Sequence, residues 1–142
     1  LAPNADAFAG TKYTDVFEVA GEGVGFLYWM GTNDDNAYSV ITVNACDDTT
    51  PSTESAVAFR YKACTTFDTW GAWTEATTAG FSTAQTSDNM YLIFVPAAEF
   101  ASVGYKYCRL KAIEGDDHPV DGVVAAFVVN PRYQAQPSSL ID

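Results

Sequence analysis

Tyr105-Lys-Tyr-Cys-Arg-Leu-Lys-Ala-Ile113 alternates along its length. Cys108, Leu110 and Ala112 fall on one side, while Tyr107, Arg109 and Lys111 fall on the other. In an extended strand successive side chains point to opposite faces, so this period of two reads as a half-buried β-strand with the first set in the core. Ser39-Val-Ile-Thr-Val-Asn-Ala45 repeats the pattern, with Ile41, Val43 and Ala45 on the core side and Val40, Thr42 and Asn44 on the more polar one.

Working outward, runs rich in Val, Ile, Phe, Tyr and Thr recur at short spacing over residues 12–20, 24–31, 38–46, 56–64, 70–74, 90–95, 104–113 and 120–129. Turn-forming clusters separate them, among them Gly21-Glu-Gly, Asp47-Asp-Thr-Thr-Pro-Ser and Glu114-Gly-Asp-Asp-His-Pro. Short strands punctuated by turn chemistry predict an all-β, single-domain antiparallel β-sandwich, jelly-roll-like in outline. Met90–Val95 and Val123–Val129 are apolar on both faces, which predicts central strands or strands covered in an assembly. One helical turn is expected at Pro96-Ala-Ala-Glu-Phe-Ala-Ser, ended by Gly104. The domain is placed at 12–130, between an N-terminal arm over 1–11 and a proline-containing C-terminal arm over 131–142.

Composition narrows the function classes. Eighteen acidic residues against seven basic ones leave a formal net charge of −11. That charge opposes the phosphate neutralisation on which nucleic-acid binding depends, and it favours a basic partner surface. No apolar run reaches the ~20 residues that a helical membrane span requires. No signal peptide is read at the start of the chain, and no Asn-x-Ser/Thr sequon occurs. Cys46, Cys64 and Cys108 are widely spaced with no CxxC pair, so they read as reduced core thiols rather than a zinc site or disulfide framework.

Chemistry-bearing motifs are scarce. There is no Gly-x-Ser-x-Gly, no phosphate-binding loop and one histidine, His118. The chain therefore reads as a non-enzyme with no cofactor. Glu114, Asp116, Asp117 and Asp121 surround His118 and supply oxygen ligands of the kind calcium takes, yet without ordered Asp-x-Asp-x-Asp-Gly spacing they read as solvated turn residues. The pairs Asp34–Asp35 and Asp47–Asp48 have the same turn reading. Aromatic residues carry the remaining signal. Trp29 is expected in the inter-sheet core, whereas Trp70 and Trp73 either join it, stack on a sugar, or anchor a protein partner.

The run Gly104-Tyr-Lys-Tyr-Cys-Arg-Leu-Lys-Ala-Ile-Glu-Gly115 followed by Gly122-Val-Val-Ala-Ala-Phe-Val-Val-Asn-Pro-Arg-Tyr133, with Trp70-Gly-Ala-Trp-Thr74 upstream, resembles the decoration or cement proteins of tailed-bacteriophage heads. The resemblance covers about the C-terminal half. It implies a sandwich or jelly-roll that assembles in the host cytoplasm, sits on the capsid exterior of the virion and clamps neighbouring major capsid protein subunits. It also implies self-association as a homodimer or homotrimer. The expected contact residues are Arg132, Tyr133, Leu140 and Ile141 of the arm, with Trp70 and Trp73 as a second patch. Alternatives are a carbohydrate-binding sandwich using Trp70 and Trp73, and a head-completion or tail protein.

Overall fold

The computed structural model describes residues 6–33 and 36–130, which form two antiparallel sheets packed face to face. The first joins β1 (Thr11–Tyr13), β10 (Tyr107–Glu114), β4 (Ser39–Cys46) and β5 (Glu54–Val57) in that order; β2 (Phe17–Glu18) also pairs with β10 and β8 (Phe81–Ser82) with β4. The second runs β11 (Val120–Val129), β3 (Gly23–Asn33), β9 (Asn89–Pro96), β6 (Phe59–Cys64) and β7 (Thr74–Ala76). The all-β sandwich is therefore as the alternation predicts. Its strand order, rather than a jelly-roll name, defines the arrangement.

The inner faces are built by the alternating apolar residues. In β10, Cys108, Leu110 and Ala112 are buried while the residues between them are only partly covered. Ile41, Val43 and Ala45 of β4 are fully buried opposite them. The second sheet contributes Val24, Phe26, Tyr28 and Met30 from β3, and Tyr91, Ile93 and Val95 from β9, each at 2% exposure or less. Burying a side chain of this size contributes about 1.5–3 kcal/mol, so these alternate positions dominate the stability of the sandwich. The two phenols carried inward are bonded: the Tyr28 hydroxyl donates to Ser39 Oγ at 3.0 Å, and the Ala84 N–H donates to the Tyr91 hydroxyl at 2.7 Å. Burial pushes both phenols above their ordinary range.

The structure departs from the sequence reading at several places. The expected strand over 12–20 is two short strands, β1 and β2, because Thr14 turns inward: its backbone N–H donates to the Leu110 carbonyl and its hydroxyl accepts from the Leu110 N–H. The expected strand over 56–64 breaks at Ala58, where the chain leaves the first sheet as β5 and enters the second as β6. The expected strand over 70–74 is β7 at Thr74–Ala76, leaving Trp70 and Trp73 in the preceding loop. The helical turn is α1 (Ala97–Val103), with Pro96 as its N-cap rather than its first residue. Gly104 closes it at φ 79°, a left-handed conformation that glycine adopts without the Cβ penalty.

Nor does the N-terminal arm extend to residue 11. Phe8 is buried and stacks on Tyr28 at 4.6 Å between centroids, and the Ala7 N–H donates to the Val120 carbonyl. Phe8 supplies core volume next to Gly122, where any Cβ would collide with its ring. The C-terminal arm over 131–142 lies outside the described residues.

Met90–Val95 and Val123–Val129 are expected to be central strands covered on both sides or strands buried in an assembly. β9 is central in its sheet, but its outward residues Met90, Leu92 and Phe94 remain half-exposed. β11 is an edge strand, paired with β3 alone among the described residues, and from Val123 to Phe127 it is largely exposed. The apolar character on both faces of these strands was read correctly, but no described layer covers the outer one.

Candidate functional site

The register of the second sheet places these uncovered residues side by side. In an antiparallel sheet, residues directly opposite share a face. One row runs Val123, Trp29, Met90; the next Ala125, Leu27, Leu92, Lys62; the next Phe127, Gly25, Phe94, Arg60. All lie opposite the buried Phe26, Tyr28, Ile93 and Tyr91, so they form the outer face. Trp29 belongs here, half-exposed, and not in the inter-sheet core as expected. Tyr28, its neighbour in sequence, has the inward phase.

Gly25 is required by this surface. A Cβ built there would lie 2.2 Å from Cε2 of Phe127, so the ring rests directly on the strand backbone. Across the sheet the Arg60 guanidinium lies 4.8 Å from the ring centroids of both Phe94 and Trp73, and the Lys62 ammonium lies 4.9 Å from Trp73. Cations held over aromatic faces contribute about 0.5–1 kcal/mol at exposed sites, and here they fix the Trp73 ring against β6. A backbone hydrogen bond from the Gly71 N–H to the Ala63 carbonyl, 2.8 Å, ties the same loop to that strand. Trp70 and Trp73 are 41% and 40% exposed, so neither fills the core.

The result is an apolar surface that begins at Val123 and Phe127, crosses Trp29, Leu27, Leu92 and Phe94, and ends in a cationic and aromatic rim of Arg60, Lys62 and Trp73. Four strands about 4.8 Å apart, over five residues advancing about 3.4 Å each, span roughly 300 Å² of sheet. Contiguous apolar patches of a few hundred Å² or more mark interaction sites on soluble proteins. The first sheet presents a contrasting outer surface. There the Arg109 guanidinium donates from Nε and Nη2 to Glu54 Oε2 at 2.9 and 2.6 Å and stacks on Tyr13 at 3.9 Å. Lys106 pairs with Glu18 at 3.7 Å.

The acidic loop does not assemble a ligand shell. Glu114 accepts the Gly10 N–H through Oε2, and Asp116 turns to His118 with Oδ2 3.9 Å from Nε2. Among the described residues no three His, Cys, Asp or Glu side chains converge as a metal site would require. Asp47 works as a turn organiser: its carboxylate accepts the Ser52 hydroxyl at 2.7 Å and the Ser52 and Asp48 N–H groups, which holds its pKa below the usual range. Asp34 and Asp35 lie outside the described residues. All three cysteines are free and buried. Desolvation raises the Cys46 thiol and pushes Cys108 up to about 12, so neither is a nucleophile near neutral pH.

Of the sequence-predicted contact residues, Trp73 lies on the outer face and Trp70 is exposed in the same loop, while Arg132, Tyr133, Leu140 and Ile141 are outside the described residues. The sequence reading missed Phe127, Val123, Leu27, Leu92, Phe94 and Arg60 as site residues. Their signal was the two-sided apolarity of Met90–Val95 and Val123–Val129, which was assigned to strand burial.

Comparison with known proteins finds no match: no family model, no curated protein and no solved structure matches the chain.

Proposed function

We propose that this protein is a structural virion component, a decoration or cement protein that binds the outside of a tailed-phage head and stabilises contacts between major capsid subunits. The observation that carries the reading is the outer face of the second sheet: a broad apolar surface, rimmed by Arg60, Lys62 and Trp73, on a chain of net charge −11. Such a face suits docking on another folded surface, because burying it removes apolar area from water while the rim sets orientation. Cementing then follows from mass action. A protein that binds the assembled shell, and not its separated subunits, stabilises the shell in proportion to its occupancy. Repetition over the lattice multiplies interfaces that are individually weak.

The test is the copy number and position of the chain in purified particles, by quantitative gel and electron cryomicroscopy. Many copies in register with the capsid lattice support cementing. A few copies at one vertex transfer the protein to head completion or the tail, and absence from particles rejects a virion role.

The exposure of Trp70 and Trp73 supports a second reading, a carbohydrate-binding sandwich, since exposed indoles stack on sugar rings. Arg60 and Lys62 over the Trp73 ring occupy aromatic surface such stacking uses. A glycan array with the isolated chain, repeated on Trp70→Ala and Trp73→Ala, separates the two: glycan binding lost in both variants favours the sugar reading.

A further inference from the structure

We infer that two copies of this chain associate edge to edge through β11, antiparallel across a two-fold axis centred on Ala126. The inference specifies the self-association that the resemblance implies and does not use the capsid part of the proposed function.

Three observations converge on this edge. First, β11 is ten residues long, and among the described residues nothing pairs with its outer side beyond the start: the Ala7 N–H binds the Val120 carbonyl and Phe8 fills the space at Gly122. The edge from Val123 to Val129 has none of the usual devices that prevent strand addition, for it carries no lysine, proline or bulge there. The register shift in this strand falls earlier, between Val120 and Gly122.

Second, the charge distribution selects the partner. A chain of net charge −11 repels its own copies over most of its surface, but no charged residue occurs from Gly122 to Asn130. This is a long edge whose own residues oppose no carboxylates when two copies meet, with Lys12 and Asp15 of the neighbouring segment lining the groove beside it.

Third, the sequence of the edge is complementary to itself. A two-fold axis normal to the sheet pairs residues of the same face. Centred on Ala126, it places Ala125 opposite Phe127 of the second copy and Val124 opposite Val128, with Ala126 opposite itself. Small thus meets large at the one bulky position, and the Phe127 rings, already laid over Gly25, are not forced against each other. The two outer apolar faces become one continuous surface. On the inner side, the groove of about 520 Å³ between β11 and β1, lined by Val124, Ala126, Tyr13 and Leu110, is roofed by the added strand.

Sedimentation equilibrium of the purified chain at micromolar concentration, with two cysteine variants and one charge variant, tests the inference. The expected result is twice the chain mass. Ala126→Cys is then expected to form an intermolecular disulfide under mild oxidation, since opposed antiparallel residues lie about 4.5–5.5 Å apart, within disulfide reach. Val123→Cys is expected to stay reduced, its counterpart being about 20 Å away. The native cysteines do not interfere because all three are buried. Ala126→Glu, at an exposed position, is expected to give a folded monomer that still unfolds in one cooperative transition, its melting temperature lowered and no longer dependent on protein concentration because the contribution of association is lost. A wild-type monomer at all concentrations overturns the inference, as does an oligomer in which Ala126→Cys stays reduced or Val123→Cys cross-links equally well. The capsid reading survives a monomer, because it uses the outer face and not the edge.

Discussion

Replacing Gly80 by alanine tests how the two sheets are held together, and Gly104→Ala provides the matched control. Both glycines have left-handed backbone, φ 76° and 79°. An L-residue there costs about 1–2 kcal/mol from contact between Cβ and its own backbone. At Gly104 nothing else lies within 4 Å of the new methyl, so that cost is the whole effect. At Gly80 the methyl would sit 1.9 Å from the Ile41 carbonyl oxygen and 2.8 Å from Thr42 Cγ2. A backbone oxygen on a central strand cannot swing aside, so β8 must lift off β4. Phe81 then moves with it, and Phe81 stacks on Tyr61 at 3.9 Å between centroids, joining a strand paired to the first sheet with the inner face of the second. Losing that stack adds about 0.5–1.5 kcal/mol beyond the area exposed. The sum is about 1.5–3.5 kcal/mol for Gly80→Ala, before the apolar area exposed, against about 1–2 for Gly104→Ala. For a domain of this size each kcal/mol lowers the melting temperature by about 3–4 °C, so the expected losses are about 10 °C and about 5 °C. Thermal and urea unfolding followed by circular dichroism measures both. Equal losses would refute the argument, because they would mean that the turn at Gly80 is free to move and that Phe81 does not tie the sheets.

Stability is also expected to fall at alkaline pH. The Cys108 thiol is pushed up to about 12 from its ordinary 9.0, so above pH 9 the unfolded chain releases a proton that the folded one retains. The contribution is fully present below pH 9 and is lost towards 12, with a slope of at most about 1.4 kcal/mol per pH unit for each group. Urea midpoints measured across that window should drop less steeply in Cys108→Ala than in the wild type. Arg109→Ala, which removes two charge-assisted hydrogen bonds to Glu54 and the stack on Tyr13, should cost about 1.5–3 kcal/mol by urea unfolding, and a neutral result would show the pair to be solvated. The outer face should bind anilinonaphthalene sulfonate in the native state, and Phe127→Asp should weaken that fluorescence while lowering the melting temperature by only a few degrees, because the ring is 44% exposed and loses its packing on Gly25 alone within the chain.

How much of this was legible in the sequence depends on which interaction set each position. β10, and β4 as far as Val43, were readable residue by residue because one face is buried and the other partly exposed, and a period of two then carries the information directly; at the end of β4 Asn44 and Cys46 are buried as well, so the alternation stops there. The breaks at Thr14 and Ala58 were not readable, since each depends on a partner distant in sequence: the Leu110 backbone for one, the crossing between sheets for the other. Trp29 was misplaced because size alone assigned it to the core, whereas the phase of β3, set by Val24, Phe26, Tyr28 and Met30, sends it outward. β8 escaped notice because a two-residue strand has no period. For the candidate site the residues were visible but their grouping was not. Val123, Leu27, Leu92 and Arg60 become neighbours only through the register of four strands.

The contrast between the two outer faces bears on why the apolar one persists. On the first sheet the cations are engaged locally, Arg109 by Glu54 and Tyr13, and Lys106 by Glu18. The second sheet carries no comparable ion pairs among the described residues of its outer rows; Arg60 and Lys62 instead lie over aromatic rings at the margin of an apolar field. An isolated domain gains nothing from that field, and the exposed, uncharged β11 edge adds an aggregation hazard. The high negative charge opposes the hazard by repelling free copies from one another. On the function proposed above, a surface unfavourable for a solitary protein becomes favourable in a repeating contact. That is why the face and edge of the second sheet, rather than the acidic loop at His118, are where function should be sought.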